Sequence, residues 1–264
     1  MNQYRLLRLI ALAVIILALG LFASVGFAQD EDEEVHWEYE GENGPENWGS
    51  LAEDYEVCAS GELQSPIDIA IETINYVDAE EFPVIEIDYQ PSAINVVNNG
   101  HTIQINYDEG STLTIDDVVY NLLQFHFHTP SEHTIQGQSF PLEMHLVHAN
   151  EDGELAVLGI IMEVSNGETP TDAFDLIWSQ LPTEEGELEI EGEVNAADLL
   201  SEDLNILTYS GSLTTPPCSE GVTWILSGQP LVVEQYIVDD FAAIFEFNNR
   251  PTQPINDREL TVNN

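Results

Sequence analysis

The sequence predicts a mainly β domain, a large antiparallel or mixed sheet carrying a few short peripheral helices. Short segments that alternate apolar and polar residues dominate the chain, with Gly, Pro, Asn and Asp between them at turn-like intervals. Apolar spacing of the helical kind is confined to three short stretches. The chain has 264 residues and 43% hydrophobic content, enough for one large domain with a real core. No Ser/Gly-rich or Pro-rich linker and no internal repeat follows Val35, so a single domain over 35–264 is the simpler reading.

Arg5 and Arg8 precede an apolar run from Leu9 to Ala23 that ends in small residues, with Gly26 and Ala28 where a signal peptidase requires them. Residues 1–28 therefore resemble a cleaved secretory signal. An uncleaved anchor is the alternative, since Leu9 to Ala28 has about the ~20 residues that span a bilayer. On either reading the folded part is exported, to the periplasm or the medium, and it touches a membrane only if the segment is retained. Residues 29–34 form an acidic lead-in expected to be disordered. Strands are expected within 84–89, 94–107, 111–128, 144–149, 154–164 and 222–226, and helices within 171–181, 196–200 and 238–247.

The formal charge is −45, and Arg5 and Arg8 leave with the signal, so the mature chain sets 2 basic residues against 49 acids, a charge of −47. Such a surface repels nucleic acid and anionic lipid headgroups. High salt would screen its self-repulsion and acid would neutralise many carboxylates, while a solubility bias with no special habitat is the bland reading. The two cysteines, Cys58 and Cys218, belong to no CxxC pair, which disfavours a thiolate metal site. In an exported protein they read as one disulfide, with two separate buried thiols as the alternative.

Three of the seven histidines lie in QFHFHTPSEH at 124–133. On a strand, Gln124, His126 and His128 point one way and Leu123, Phe125 and Phe127 the other. In LEMHLVH at 142–148, Glu143, His145 and Val147 share one face, and Met144, Leu146 and His148 the other. If the strands are neighbours, His145 completes a cluster with His126 and His128. Three neutral imidazoles with an open fourth position describe a catalytic zinc site, although copper and nickel also accept imidazole. Gln124 and Glu143 stand two residues from His126 and His145 on the same faces, placed to take their second ring N–H groups. The spacing HxH is a loose signal alone, and a strand histidine is more commonly a surface or hydrogen-bonded core residue. His133 and His148 read as structural, and His36 as a surface residue.

The segment TYSGSLTTPPCSEGVTW at 208–224 places Thr214 and Thr215 on a proline-stiffened loop, able to orient a nucleophile by hydrogen bonding; without context TTPP is a turn before a strand. With this loop, HWEYEGENGPENW at 36–48, QSPIDI at 64–69, NNGHTIQI at 98–105, QFHFH, SEHT, LEMHLVH, LAVLGI at 155–160 and NRPTQP at 249–254, the chain resembles the α-class carbonic anhydrases of secreted bacterial type over nearly all of 36–260.

That resemblance implies a twisted, mostly antiparallel sheet of about ten strands with short surface helices, and cis peptide bonds at Ser65-Pro66 and Pro216-Pro217. It implies reversible hydration of CO2 to bicarbonate and a proton by zinc-bound hydroxide, with Zn2+ on His126, His128 and His145. Thr214 would orient the hydroxide and pass its own proton to Glu132, and His101 would shuttle protons along waters held by Tyr39, Asn99 and Gln104. Val147, Val157, Leu213, Thr215, Val222 and Trp224 would line the CO2 site, and the Asn248 carbonyl would hold His128. Cys58 and Cys218 match the bridge of secreted members. Homodimers are frequent among bacterial members, though a chain this acidic would have to neutralise its charges at such an interface. Two departures stand out: Glu38 replaces the glycine of HWGYG, and Thr102, rather than a small residue, follows the shuttle and could hinder its swing. Other classes fit less well, since the chain has neither the HExxH of zinc proteases nor the His-rich tracts of a metal scavenger.

Overall fold

The computed structural model describes residues 35–201 and 204–263, so the expected signal segment 1–28 and lead-in 29–34 lie outside the described residues. The strands are β1 (Asp68–Ile69), β2 (Ile74–Val77), β3 (Ile85–Asp88), β4 (Ser92–Asn98), β5 (Ile103–Asn106), β6 (Thr112–Ile115), β7 (Val118–His128), β8 (Thr134–Ile135), β9 (Leu142–Ala149), β10 (Leu155–Val164), β11 (Gly186–Val194), β12 (Leu207–Ser212), β13 (Glu220–Leu226), β14 (Leu231–Val233) and β15 (Leu260–Asn263). The helices are α1 (Val57–Ser60), α2 (Asp175–Trp178) and α3 (Gln235–Ile244), with 3-10 turns between elements. Among the described residues no helix is long and apolar enough to cross a membrane.

One sheet holds thirteen strands, ten of them along the path β11-β4-β5-β7-β9-β10-β13-β12-β15-β2, while β3, β6 and β14 branch off. The expected ten-stranded sheet is thus the path, and the branches are additions to it. Antiparallel pairing dominates, but β10 runs parallel to β13 and β14, and β15 parallel to β2, which makes the sheet mixed. A separate parallel pair joins β1 to β8.

Alternation along the central strands separates two cores. Phe125 and Phe127 on β7, with Met144 and Leu146 on β9, pack on one face with Ile177 and Trp178 of α2 and Ile237 and Phe241 of α3. Ile237 and Phe241, four residues apart, lie on one helical face. The other face carries Val157, Val222 and Trp224 in a second cluster. Burying a Phe or Leu side chain is worth about 1.5–3 kcal/mol, so this segregation pins which face each histidine takes.

Leu123 departs from the expected alternation, for it is 47% exposed, not packed beside Phe125 and Phe127. The β7–β9 register shifts between Leu122 and Gln124, so a bulge leaves Leu123 unpaired and gives its inward place to Leu122. The helices also differ from expectation. Only Asp175–Trp178 of 171–181 is α-helical, Ala196–Leu199 of 196–200 forms a 3-10 turn, and the last helix spans Gln235–Ile244 rather than 238–247. Strand β11, rich in Glu, was not anticipated.

Candidate metal centre

Beyond the bulge, β7 and β9 pair with His126 directly opposite His145 and His128 opposite Glu143. Strand alternation turns His126 and His128 to the same side, and the register delivers His145 between them, so one ligand atom from each lies within 4.8 Å of the others. Each ring has one nitrogen already committed. His126 Nδ1 donates to Gln124 Oε1 at 2.9 Å, His128 Nδ1 donates to the Asn248 carbonyl at 2.7 Å, and His145 Nε2 donates to Glu143 Oε1 at 2.8 Å. Those bonds leave His126 Nε2, His128 Nε2 and His145 Nδ1 as lone-pair nitrogens facing a common space.

Electrostatics favour the same state. Burial, aided by neighbouring imidazoles, lowers all three proton affinities: His126 falls well below the usual range, His128 to about 4, and His145 falls despite Glu143. All three rings are therefore neutral near pH 7, the form that binds metal. His128 Nε2 is buried without a hydrogen-bond partner. An orphaned buried nitrogen costs on the order of 1–3 kcal/mol, and a metal ion would satisfy it. These residues fit a metal with three imidazole ligands and an open position.

Glu143 holds more than His145. Its Oε1 also accepts from His133 Nδ1 at 2.7 Å, and its Oε2 accepts from the His133 amide at 2.8 Å. Burial alone would raise this carboxyl; His133 and His145 outweigh it and hold it well below the usual range. His133 Nε2 accepts from the Tyr209 hydroxyl at 2.7 Å, and that hydroxyl bonds Ser65 Oγ at 2.9 Å. His133, Glu143 and His145 also cluster closely, but their nitrogen and oxygen atoms meet at 2.7–2.8 Å as hydrogen bonds, closer than the roughly 3.3 Å that separates two tetrahedral ligands of one metal. His133 is structural, as expected, and its link to the centre through Glu143 was not foreseen.

Glu132 closes the floor. Its Oε1 accepts from the Arg250 amide at 2.8 Å, while Oε2 stands 3.6 Å from His128 Nε2 and 3.9 Å from His145 Nδ1 with no hydrogen-bond partner. Burial raises its proton affinity to about 7, against the pull of His145, the Arg250 amide and the Thr214 side chain. Arg250, missed by sequence reasoning, is buried, and its guanidinium donates to Gln64 Oε1, the Ser65 carbonyl and the Cys58 carbonyl at 2.8–2.9 Å. An arginine in a chain with four basic residues was the available signal. Cys58 and Cys218 form a disulfide that ties this corner to the loop carrying Thr214 and Thr215.

Trp224 packs edge-on to His145 at 4.8 Å, and Val157, Val222 and Trp224 are buried, with Val147 and Leu213 packed against them. At the other end, the His101 ring stacks on Trp37 at 3.7 Å, with Tyr39 at 6.4 Å. Asn99 Oδ1 accepts from the His101 and Thr102 amides, so its carbonyl shapes the turn and only its amide NH2 remains for water. Gln104 pairs with His126 across the strands, and its NH2 goes to Asn106. Thr102 is buried with its hydroxyl on the Phe127 carbonyl at 2.5 Å, turned inward, and the side chain of Glu38 is exposed beside His36. Ser65-Pro66 and Pro216-Pro217 are cis as expected, and Thr129-Pro130 is cis as well.

A model of the eukaryotic-type carbonic anhydrase family matches residues 43–264. A carbonic anhydrase of Neisseria gonorrhoeae is 39% identical over 250 residues, covering 93% of this chain and 94% of that protein. One from Nostoc sp. is 38% identical, covering 96% and 95%. The α-carbonic anhydrase of Thermovibrio ammonificans, solved with the inhibitor sulfanilamide, superposes with a TM-score of 0.81 at 38% identity over 86% of this chain and 99% of that one. Similarity of that extent, running through the strands that carry the histidine cluster, makes this chain a member of the α-class carbonic anhydrase family and an enzyme of that family.

Proposed function

We propose that the chain hydrates CO2 reversibly to bicarbonate and a proton, using Zn2+ held by His126 Nε2, His128 Nε2 and His145 Nδ1. The observation that carries this reading is the set of three converging nitrogens whose ring partners are all committed elsewhere. Zinc in such a site acts as a Lewis acid that makes hydroxide available near neutral pH. Glu132, anchored by the Arg250 amide, accepts a hydrogen bond from the Thr214 hydroxyl. Thr214 then offers a lone pair toward the centre and orients the nucleophile, which is positioning rather than proton abstraction. CO2 lies against Val147, Val157, Leu213, Val222 and Trp224, beside Thr215, where an apolar wall suits an uncharged substrate. His101 carries the released proton to buffer, along waters reached by Tyr39, Gln104 and the Asn99 amide.

Export is part of the proposal, supported by the disulfide and the signal-like N-terminus. The test is the CO2 hydration rate of the mature protein with zinc in place, after chelation, and after zinc is restored. Loss and recovery are expected; a rate no better than buffer, with zinc demonstrably bound, overturns the reading.

A further inference from the structure

Behind the centre lies a second cavity, of about 220 Å³, that the hydration reaction does not use. Separate elements build it: Ile69 and Ile135 from the β1–β8 pair, Ile161 and Leu226 from β10 and β13, and Leu207 and Val262 from β12 and β15. Ile71 and Tyr76, 54% and 57% exposed, stand among its lining residues and mark its mouth. No Asp, Glu, Lys or Arg lies among the described residues that line it, in a chain with 49 acids. Its buried polar groups are occupied: both ring nitrogens of His133 are hydrogen-bonded, and the Ser227 hydroxyl donates to the Gln229 carbonyl at 2.9 Å, while Asn205 and Tyr76 lie exposed at its edge. A charged guest would lose its hydration against these apolar walls and gain no ion pair. Dry apolar cavities of ~150 Å³ bind benzene or xenon, so this one has room for a single molecule of that kind.

The wall also reaches the metal centre. His133 holds both oxygens of Glu143, and Glu143 Oε1 holds His145 Nε2. Ile161, another wall residue, pairs with Glu143 across β9 and β10. A guest packed on His133 and Ile161 therefore bears on the carboxylate that orients His145. We infer that this cavity is an effector site for one small, neutral, apolar molecule, with occupancy transmitted through His133 and Glu143 to His145.

The experiment is a benzene titration of the mature, zinc-loaded protein, followed by NMR at the isoleucine and leucine methyl groups and at the His145 ring. Saturable shifts confined to the isoleucines and leucines of the wall, Ile161, Ile135, Leu207 and Leu226 among them, with a parallel His145 shift, are expected. Filling the cavity with Leu226→Phe, or capping its mouth with Ile71→Trp at an exposed position where folding is not at stake, should weaken binding roughly tenfold or more. Shifts that fail to saturate, or that persist unchanged in both variants, mean that benzene partitions elsewhere and overturn the site. Saturable binding that leaves His145 unmoved overturns the effector role.

Discussion

Gln124 holds His126 through one hydrogen bond of 2.9 Å, and that bond selects which ring nitrogen faces the centre. Gln124→Ala keeps every metal ligand and frees the ring to rotate, so zinc affinity should fall about 10–100-fold in competition with a chelator. Unchanged affinity would remove the orienting role. His101 is tested through buffer: His101→Ala should slow turnover in weak buffer and recover when an imidazole buffer supplies the missing proton carrier. A rate insensitive to the substitution in weak buffer moves the shuttle elsewhere. His148 has no part in the centre, yet it sets a pH limit. Buried on the opposite face against the Tyr89 hydroxyl at 2.8 Å, it has its proton affinity pushed down from 6.5 to about 4. The unfolded chain then binds the extra proton between those values. Stability is thus fully present above about pH 6.5 and falls by about 3 kcal/mol as pH drops to about 4. Urea midpoints from pH 7 to 4 check this, and His148→Gln should flatten the slope.

Strands β7 and β9 were legible because their alternation separates Phe and Met from His and Glu, and burial enforces that separation. The bulge at Leu123 was not, since one extra residue in a strand leaves no mark in an alternating pattern until its partner is known. Helix α2 is shorter than expected: Phe174, Ile177 and Trp178 have helical spacing and are buried, but the α-helix itself is the four residues Asp175–Trp178. Strand β11 was overlooked because its glutamates lower β propensity; at the sheet edge they guard against pairing with another chain. The loop carrying Thr214 is braced by the Cys58–Cys218 bond across 160 residues. The double variant C58S/C218S should lose on the order of 4–5 kcal/mol of stability by urea unfolding, since long loops gain most from closure. A loss below ~1 kcal/mol would leave the other contacts of that loop as its brace.

The whole molecule carries its charge outside. Among the described residues only Glu132 and Glu143 are buried acids, so the other described carboxylates reach solvent. Self-repulsion over such a surface is reduced as the screening length shrinks from ~10 Å at 0.1 M to ~3 Å at 1 M salt. The unfolding midpoint should therefore rise from dilute buffer to molar KCl, and a flat curve would exclude adaptation to high salt.

Order along the chain determined which residue types alternate and which chemistry they offer: imidazoles two apart, carboxylate and amide beside them, and two cysteines outside any CxxC pair. Those properties are local, and strand periodicity carries them without reference to the rest of the molecule. Which nitrogen of each ring is left free, the join of Glu143 to His133, Tyr209 and Ser65, and the seating of Arg250 under Glu132 were decided by the tertiary structure. Those contacts link residues as far as 144 positions apart. Only the register of the sheet, with its bulge and parallel joins, brings them within hydrogen-bonding distance, and a linear pattern contains no register.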